Sequence, residues 1–108
     1  DGKPTLVTGS PGGARIITTV LQTVVNTIDF GMNPAEAAAT PRFHHQWTPD
    51  DLRVEKGISP DTVALLKSRG HNVAVKASMG RTQTIELRDG MLYGASDPRN
   101  PDGQTLGY

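Results

Sequence analysis

Gly9-Ser10-Pro11-Gly12-Gly13-Ala14-Arg15 separates a short strand-like run, Thr5-Leu6-Val7-Thr8, from a long helical run that begins at Ile16. Ser10 reads as a helix N-cap, Pro11 as the first helical position, and Gly12 and Gly13 as part of the first turn. The first amides of a helix have no intrahelical acceptor, and the macrodipole adds partial positive charge at that end. Two glycines there leave the amides uncovered by side chains, open to an anion or to a developing oxyanion. A tight turn in which glycine only relieves steric strain fits the same residues. The Gly-x-x-Gly-Gly spacing matches neither the dinucleotide fingerprint nor the phosphate loop, which needs Lys-Ser or Lys-Thr after its last glycine.

Downstream, Ile16, Ile17, Val20, Leu21, Val24, Val25 and Ile28 recur at helical spacing, and no charge lies between Arg15 and Asp29. The opposite face is Thr18, Thr19, Gln22, Thr23, Asn26 and Thr27. So many β-branched residues make a poor helix by intrinsic propensity, so packing must hold it. An uncharged polar face suits a second packed layer better than open water, and the helix is expected to be sandwiched.

The rest of the chain alternates short elements. Asn33-Pro34-Ala35-Glu36 has the pattern of a capping box opening a short helix that Pro41 ends. Arg42–Trp47 reads as extended, with Phe43, His45 and Trp47 sharing a packed face. Leu52–Glu55 alternates as a strand. Ser59-Pro60-Asp61-Thr62 caps a third helix that stops at Gly70. Asn72–Lys76 is a strand, and Thr82–Arg88, Asp89-Gly90 and Met91–Ala95 form a hairpin. The proline- and glycine-rich tail from Asp97 to Gly103 is expected to wrap over a surface.

A length of 108 residues is one domain's worth of material, and a hydrophobic content of 35% with 12 glycines is ordinary for a globular domain. Zero formal net charge gives no electrostatic footprint for nucleic acid or an acidic membrane surface. No apolar run approaches the ~20 residues of a membrane span. Without cysteine the chain holds no disulfide, thiol nucleophile or thiolate metal site. Charge is uneven, with six charged residues in 1–49 and sixteen in 50–108. Asp1-Gly2 is a hairpin turn signal with an outgoing strand and no incoming one, so the chain is expected to be the C-terminal piece of something longer.

Other candidate sites are weaker. Adjacent residues on a strand point to opposite faces, so His44-His45 cannot chelate one ion, and no metal or cofactor is expected. Ser10 lacks a Gly-x-Ser-x-Gly elbow, and capping accounts for it. Asp50-Asp51 reads as a solvated turn. The Met79–Gln83 loop is either functional or a connection.

Val7-Thr8-Gly9-Ser10-Pro11-Gly12-Gly13 with Arg15-Ile16-Ile17-Thr18-Thr19 resembles the small subunit of bacterial γ-glutamyltransferases, also called glutathione hydrolases. So do Pro41–Trp47, Leu52–Glu55 and Leu92–Arg99, and these motifs fall in the right order from end to end. The resemblance implies an N-terminal-nucleophile hydrolase. In that family a precursor cuts itself, and the new N-terminal threonine of the small subunit attacks a γ-glutamyl amide. It implies an α+β fold, a fragment of a four-layer αββα sandwich with mixed and antiparallel strands, residues 1–108 being a single partial domain. Gly12 and Gly13 match the oxyanion-hole glycines. Ala14 departs from the Ser or Thr of many relatives, at a position that follows the donors. The threonine nucleophile, the serine pair and acidic residues that grip the glutamyl group, and the large subunit do not lie in this chain. The implied partners are γ-glutamyl substrates such as glutathione, the large subunit and the rest of the small one; the implied location is periplasmic or secreted. Two rivals remain: a free-standing anion-binding or interaction module using the Gly12-Gly13 helix start, and a structural piece that forms a homodimer through exposed edges.

Overall fold

The computed structural model describes all residues from Asp1 to Tyr108. Strand β1 (Leu6–Gly9) leads through a single 3₁₀ turn (Gly13–Arg15) into α1 (Ile16–Ile28), followed by α2 (Pro34–Ala39). Then come β2 (Phe43–His44), β3 (Leu52–Glu55), α3 (Pro60–Ser68), β4 (Val73–Lys76), β5 (Gln83–Arg88) and β6 (Met91–Ser96). One antiparallel sheet has the order β1-β5-β6; the other, β2-β3-β4, pairs β2–β3 antiparallel and β3–β4 parallel. This is the expected α+β composition with mixed strands. α2 packs on β5 and β6, α3 on β4, and α1 touches both sheets through β1 and β2.

Local chemistry explains most element ends. The Asn33 side chain accepts from the Glu36 amide at 2.8 Å, with Pro34 at the first helical position of α2. Ser59 caps α3 in the same way. α3 closes in a Schellman arrangement: His71 N–H donates to Leu66 and Gly70 N–H to Lys67, with Gly70 at φ 92°. Asp89 and Gly90 both have positive φ, 53° and 76°, as a two-residue hairpin turn of the primed kind requires.

Three expectations are corrected. First, Ser10 is not a cap: α1 starts at Ile16, after the 3₁₀ turn, and Ser10 binds elsewhere. Second, within this chain α1 is covered on one face and not on both: its polar face is packed, as expected, through Thr19, Thr23 and Thr27, while Ile17, Leu21 and Ile28 stay 76%, 57% and 63% exposed. Thr23 and Thr27 donate to the carbonyls four residues back, at 3.0 and 2.9 Å, so they present methyl groups inward with their hydroxyls satisfied. The helix is therefore covered on the face opposite its apolar stripe. Third, Phe43, His45 and Trp47 are exposed, Trp47 at 84%, whereas Arg42 and His44 point inward. Alternation along the strand is as expected, but bonded polar groups occupy the inner side.

The β1-β5-β6 sheet has two unlike faces. Thr8, Thr84 and Ala95 lie in one row on the covered face, with the two threonine hydroxyls 2.7 Å apart. Val7, Ile85 and Leu92 lie on the other, exposed within this chain.

The interior between the sheets is an ion network. Arg42 pairs with Asp97 at 2.7 Å, Arg99 with Asp97 at 3.0 Å, and Arg99 with Glu55 at 2.9 Å, with Arg42, Glu55 and Asp97 buried and Arg99 partly so. Arg42 also donates to the carbonyls of Met79 and Ala38, and Arg99 to those of Ala38 and Thr40. The two guanidinium groups thus cap the C-terminal end of α2, where carbonyls lack partners and the dipole favours cations. Burial pulls the Arg42 pKa down, and the Asp97 contact only partly offsets it. For Asp97, burial acts upward but is outweighed by the amides of Thr82 and Arg99 and by both guanidinium groups, leaving the carboxyl below its usual range. For Arg99, burial acts downward and is outweighed by Glu55 and Asp97, so its pKa is raised.

Replacing Asp97 with Asn leaves two buried cations with one carboxylate between them, an expected loss of about 3–5 kcal/mol. Because the folded pKa of Asp97 is depressed, its stabilisation is complete above the ordinary carboxylate value of 3.8 and is lost as pH falls through the folded value. Urea midpoints from neutral pH into acid should drop for the wild-type protein and show a flatter acid limb for Asp97→Asn.

Candidate functional site

The glycine turn adopts a conformation that only glycine holds easily. Gly12 sits at φ 141°, ψ 14° and Gly13 at φ 59°. The carbonyls of Gly12 and Gly13 are used, accepting from Arg15 and Ile16. Their amides are not, for neither N–H meets an acceptor in this chain. Gly13 is exposed and Gly12 half-buried, so both donors are accessible. The sequence reading of uncovered amides ahead of a helix therefore survives, although they precede a 3₁₀ turn rather than sit in the first α turn.

The turn is clamped from outside. Ser10 Oγ donates to the Pro11 carbonyl at 2.8 Å and accepts from the Arg81 amide at 2.9 Å. Gly80, at φ 74°, lies so close that a Cβ there would stand 2.6 Å from Thr19 Cγ2 and 2.9 Å from Ser10 Oγ. The Met79–Gln83 loop, left undecided by sequence, is thus the back wall of the glycine turn. Ser10, with its proton on a carbonyl and its lone pair on an amide, is a structural hydroxyl rather than a nucleophile.

The histidines part ways. His44 is buried, with Nδ1 2.6 Å from Thr18 Oγ1 and Nε2 2.9 Å from Gln46 Oε1. His45 is exposed and meets Asp50 at 3.0 Å. Asp51 accepts from Asn72. The residues that sequence reasoning missed are Arg42, Glu55, Asp97 and Arg99. All four lie in the motifs that carry the family resemblance but outside any site pattern, and the signal available was charge at the ends of strand-like runs.

The γ-glutamyltranspeptidase family model matches residues 1–107. The chain belongs to this family. The glutathione hydrolase proenzyme of Escherichia coli K12 is 67% identical over 109 residues, covering all of this chain and 19% of that protein. Among solved structures, a mutant γ-glutamyltranspeptidase of Helicobacter pylori superposes with a TM-score of 0.87 at 47% identity, covering 93% of this chain and 56% of the other. The enzyme from Pseudomonas nitroreducens complexed with L-DON gives 0.90 at 32% identity, covering 100% and 58%. The chain spans about a fifth of the length of the curated relatives it matches, 19% and 21% for the first two. In this γ-glutamyltranspeptidase chain, then, the glycine turn is fixed by contacts between segments some seventy residues apart.

Gly80→Ala forces a methyl group against Thr19 and Ser10 and places alanine at positive φ. Strain and overpacking of this kind cost about 1–3 kcal/mol. A urea midpoint shift of that size is expected, and hydrogen exchange at the Arg81 amide should speed up as its bond to Ser10 is displaced.

Proposed function

We propose that this chain is the C-terminal segment of the small subunit of a γ-glutamyltransferase, and that the amides of Gly12 and Gly13 form its oxyanion hole. The whole protein cleaves γ-glutamyl amides such as glutathione and passes the glutamyl group to water or to an amino acid or peptide acceptor. Its nucleophile, a threonine, and the groups that grip the glutamyl moiety lie outside this chain, as does the large subunit. The family's periplasmic or secreted location carries over with the same reading.

The observation that carries this proposal is the pair of adjacent glycine amides, unbonded and accessible on a clamped turn, in a chain matched almost end to end by the family model. When a nucleophile attacks an amide carbonyl, the oxygen gains charge as the carbon becomes tetrahedral. Donors held in place before the reaction stabilise that charge without reorganising. Backbone amides suit the role because their positions follow from φ and ψ alone, and here Ser10, Gly80 and Arg81 hold those angles from behind. A γ-glutamyl-enzyme intermediate forms as the amine leaves, and the same donors serve its breakdown through a second tetrahedral state.

Gly12→Ala in the whole protein should lower kcat by about 10²–10³ with a much smaller effect on KM, since φ 141° is closed to an L side chain and the donors must move. Gly13→Ala, at φ 59° with open space around its Cβ, should be milder. Hydrolysis of a chromogenic γ-glutamyl anilide reads both, and a folded Gly12→Ala protein with wild-type turnover would overturn the assignment.

A further inference from the structure

The β2-β3-β4 sheet carries a row of side chains, His44 opposite Arg53 opposite Ala74, with Lys76 two residues further along the same face. This face looks toward the start of α1, where Thr18 meets His44. Between them lies a cavity of about 130 Å³, lined by Arg15, His44, Gln46, Asp51, Arg53 and Lys76. That is well below the ~300 Å³ at which sites for larger organic ligands begin, and it has room for a carboxylate or a tetrahedral oxyanion.

Its charges do not balance. Arg15, Arg53 and Lys76 make no ion pair, and the one carboxylate, Asp51, accepts from Asn72 at 2.6 Å. Gln46 spends its amide N–H on the Thr48 carbonyl, so its Oε1 accepts from His44 Nε2–H, while His44 Nδ1 lies 2.6 Å from Thr18 Oγ1, a hydroxyl that also reaches the Arg15 carbonyl at 3.3 Å. Arg53 reaches the Ala77 carbonyl through Nη2, but its Nε is buried without any acceptor. Three unpaired cations around a small cavity repel one another, and a buried donor on a permanent cation is costly to leave unmade.

We propose that this cleft binds a small oxyanion, a carboxylate or an inorganic sulfate or phosphate, received by the Arg53 guanidinium with Arg15 and Lys76 as the flanking charges. The inference is independent of the γ-glutamyl chemistry. The anion comes either from solution or as an acidic side chain from a part of the protein outside these residues.

The sign of a stability change tests it in the full-length protein. In an empty cleft, Arg15→Gln or Lys76→Gln relieves repulsion, and neither side chain makes a hydrogen bond whose loss would mask this; Tm then stays level or rises. With the anion in place, as a built-in carboxylate or as added sulfate, each variant lowers Tm. Thermal melts in sodium sulfate against sodium chloride at equal ionic strength separate the two sources. A free-anion site gives a saturable rise of roughly 2–4 °C in sulfate at about ten times its dissociation constant, abolished by Arg53→Gln. A built-in carboxylate gives no sulfate-specific rise, while both charge-removing variants still lower Tm, less so at high salt. Level or rising Tm in both variants, with no sulfate-specific rise, overturns the proposal.

Discussion

Four charges at the centre of this chain hold it together where an apolar core would ordinarily do so. Arg42 leads into β2, Glu55 ends β3, and Asp97 and Arg99 follow β6, so the network joins the two sheets. It also binds the last carbonyls of α2. The only buried apolar side chains are Pro34, Ala37, Ala38, Leu52, Val54, Met79 and Ala95, too few to join two sheets by hydrophobic contact. Desolvating four ions is expensive, and an apolar replacement of equal volume is often no worse for stability. What the network adds is directional fit. Two guanidinium forks and two carboxylates satisfy one another and the carbonyls around them in one arrangement, whereas alanines and valines would tolerate several.

The parts of the fold legible in the sequence are those set by local rules. Asn33 and Ser59 cap helices because their side chains reach an amide three residues on, and Asp89-Gly90 turns a hairpin because both positions accept positive φ. These signals act within a few residues and need no knowledge of what packs where. Ser10 failed as a cap for the opposite reason. Its partner, the Arg81 amide, is 71 residues away, and no local pattern reports it. The same applies to Asp97, which looked like part of a proline-rich surface tail and is instead almost completely buried.

The helix α1 shows where periodicity misleads. Its pattern gives two faces and does not say which one meets the rest of this chain. The threonine face went inward because Thr23 and Thr27, with hydroxyls bonded to their own helix, leave methyl-sized knobs that permit close approach, and Thr19, its buried Oγ1 without a partner, lies against Gly80. The apolar stripe of α1 and the Val7, Ile85, Leu92 face of the first sheet are then left uncovered. Two uncovered apolar faces on opposite sides of a helix-on-sheet pair are what a layered sandwich requires of one of its halves, since each face must meet a further layer. The glycine turn was legible as a pair of open amides because the chemistry of glycine is local, but its rigidity was not.

That rigidity follows from the ion network in a short chain of contacts. Glu55 accepts from the Met79 amide and Arg42 donates to the Met79 carbonyl, fixing one end of the 79–82 loop. Asp97 accepts from the Thr82 amide and Arg42 donates to the Thr82 hydroxyl, fixing the other. Gly80 and Arg81, held between these two anchors, press on Thr19 and bond to Ser10. Ser10 in turn bonds to Pro11, immediately before the two free amides. Preorganised donors stabilise charge only if they do not relax when charge appears, and a loop free to drift by an ångström would forfeit most of that benefit. Placing buried charges three contacts behind the amides, rather than a soft apolar cluster, gives the turn a support with a single geometry. The costly choice of an ionic interior is therefore reasonable in a chain whose proposed oxyanion hole depends on two backbone angles.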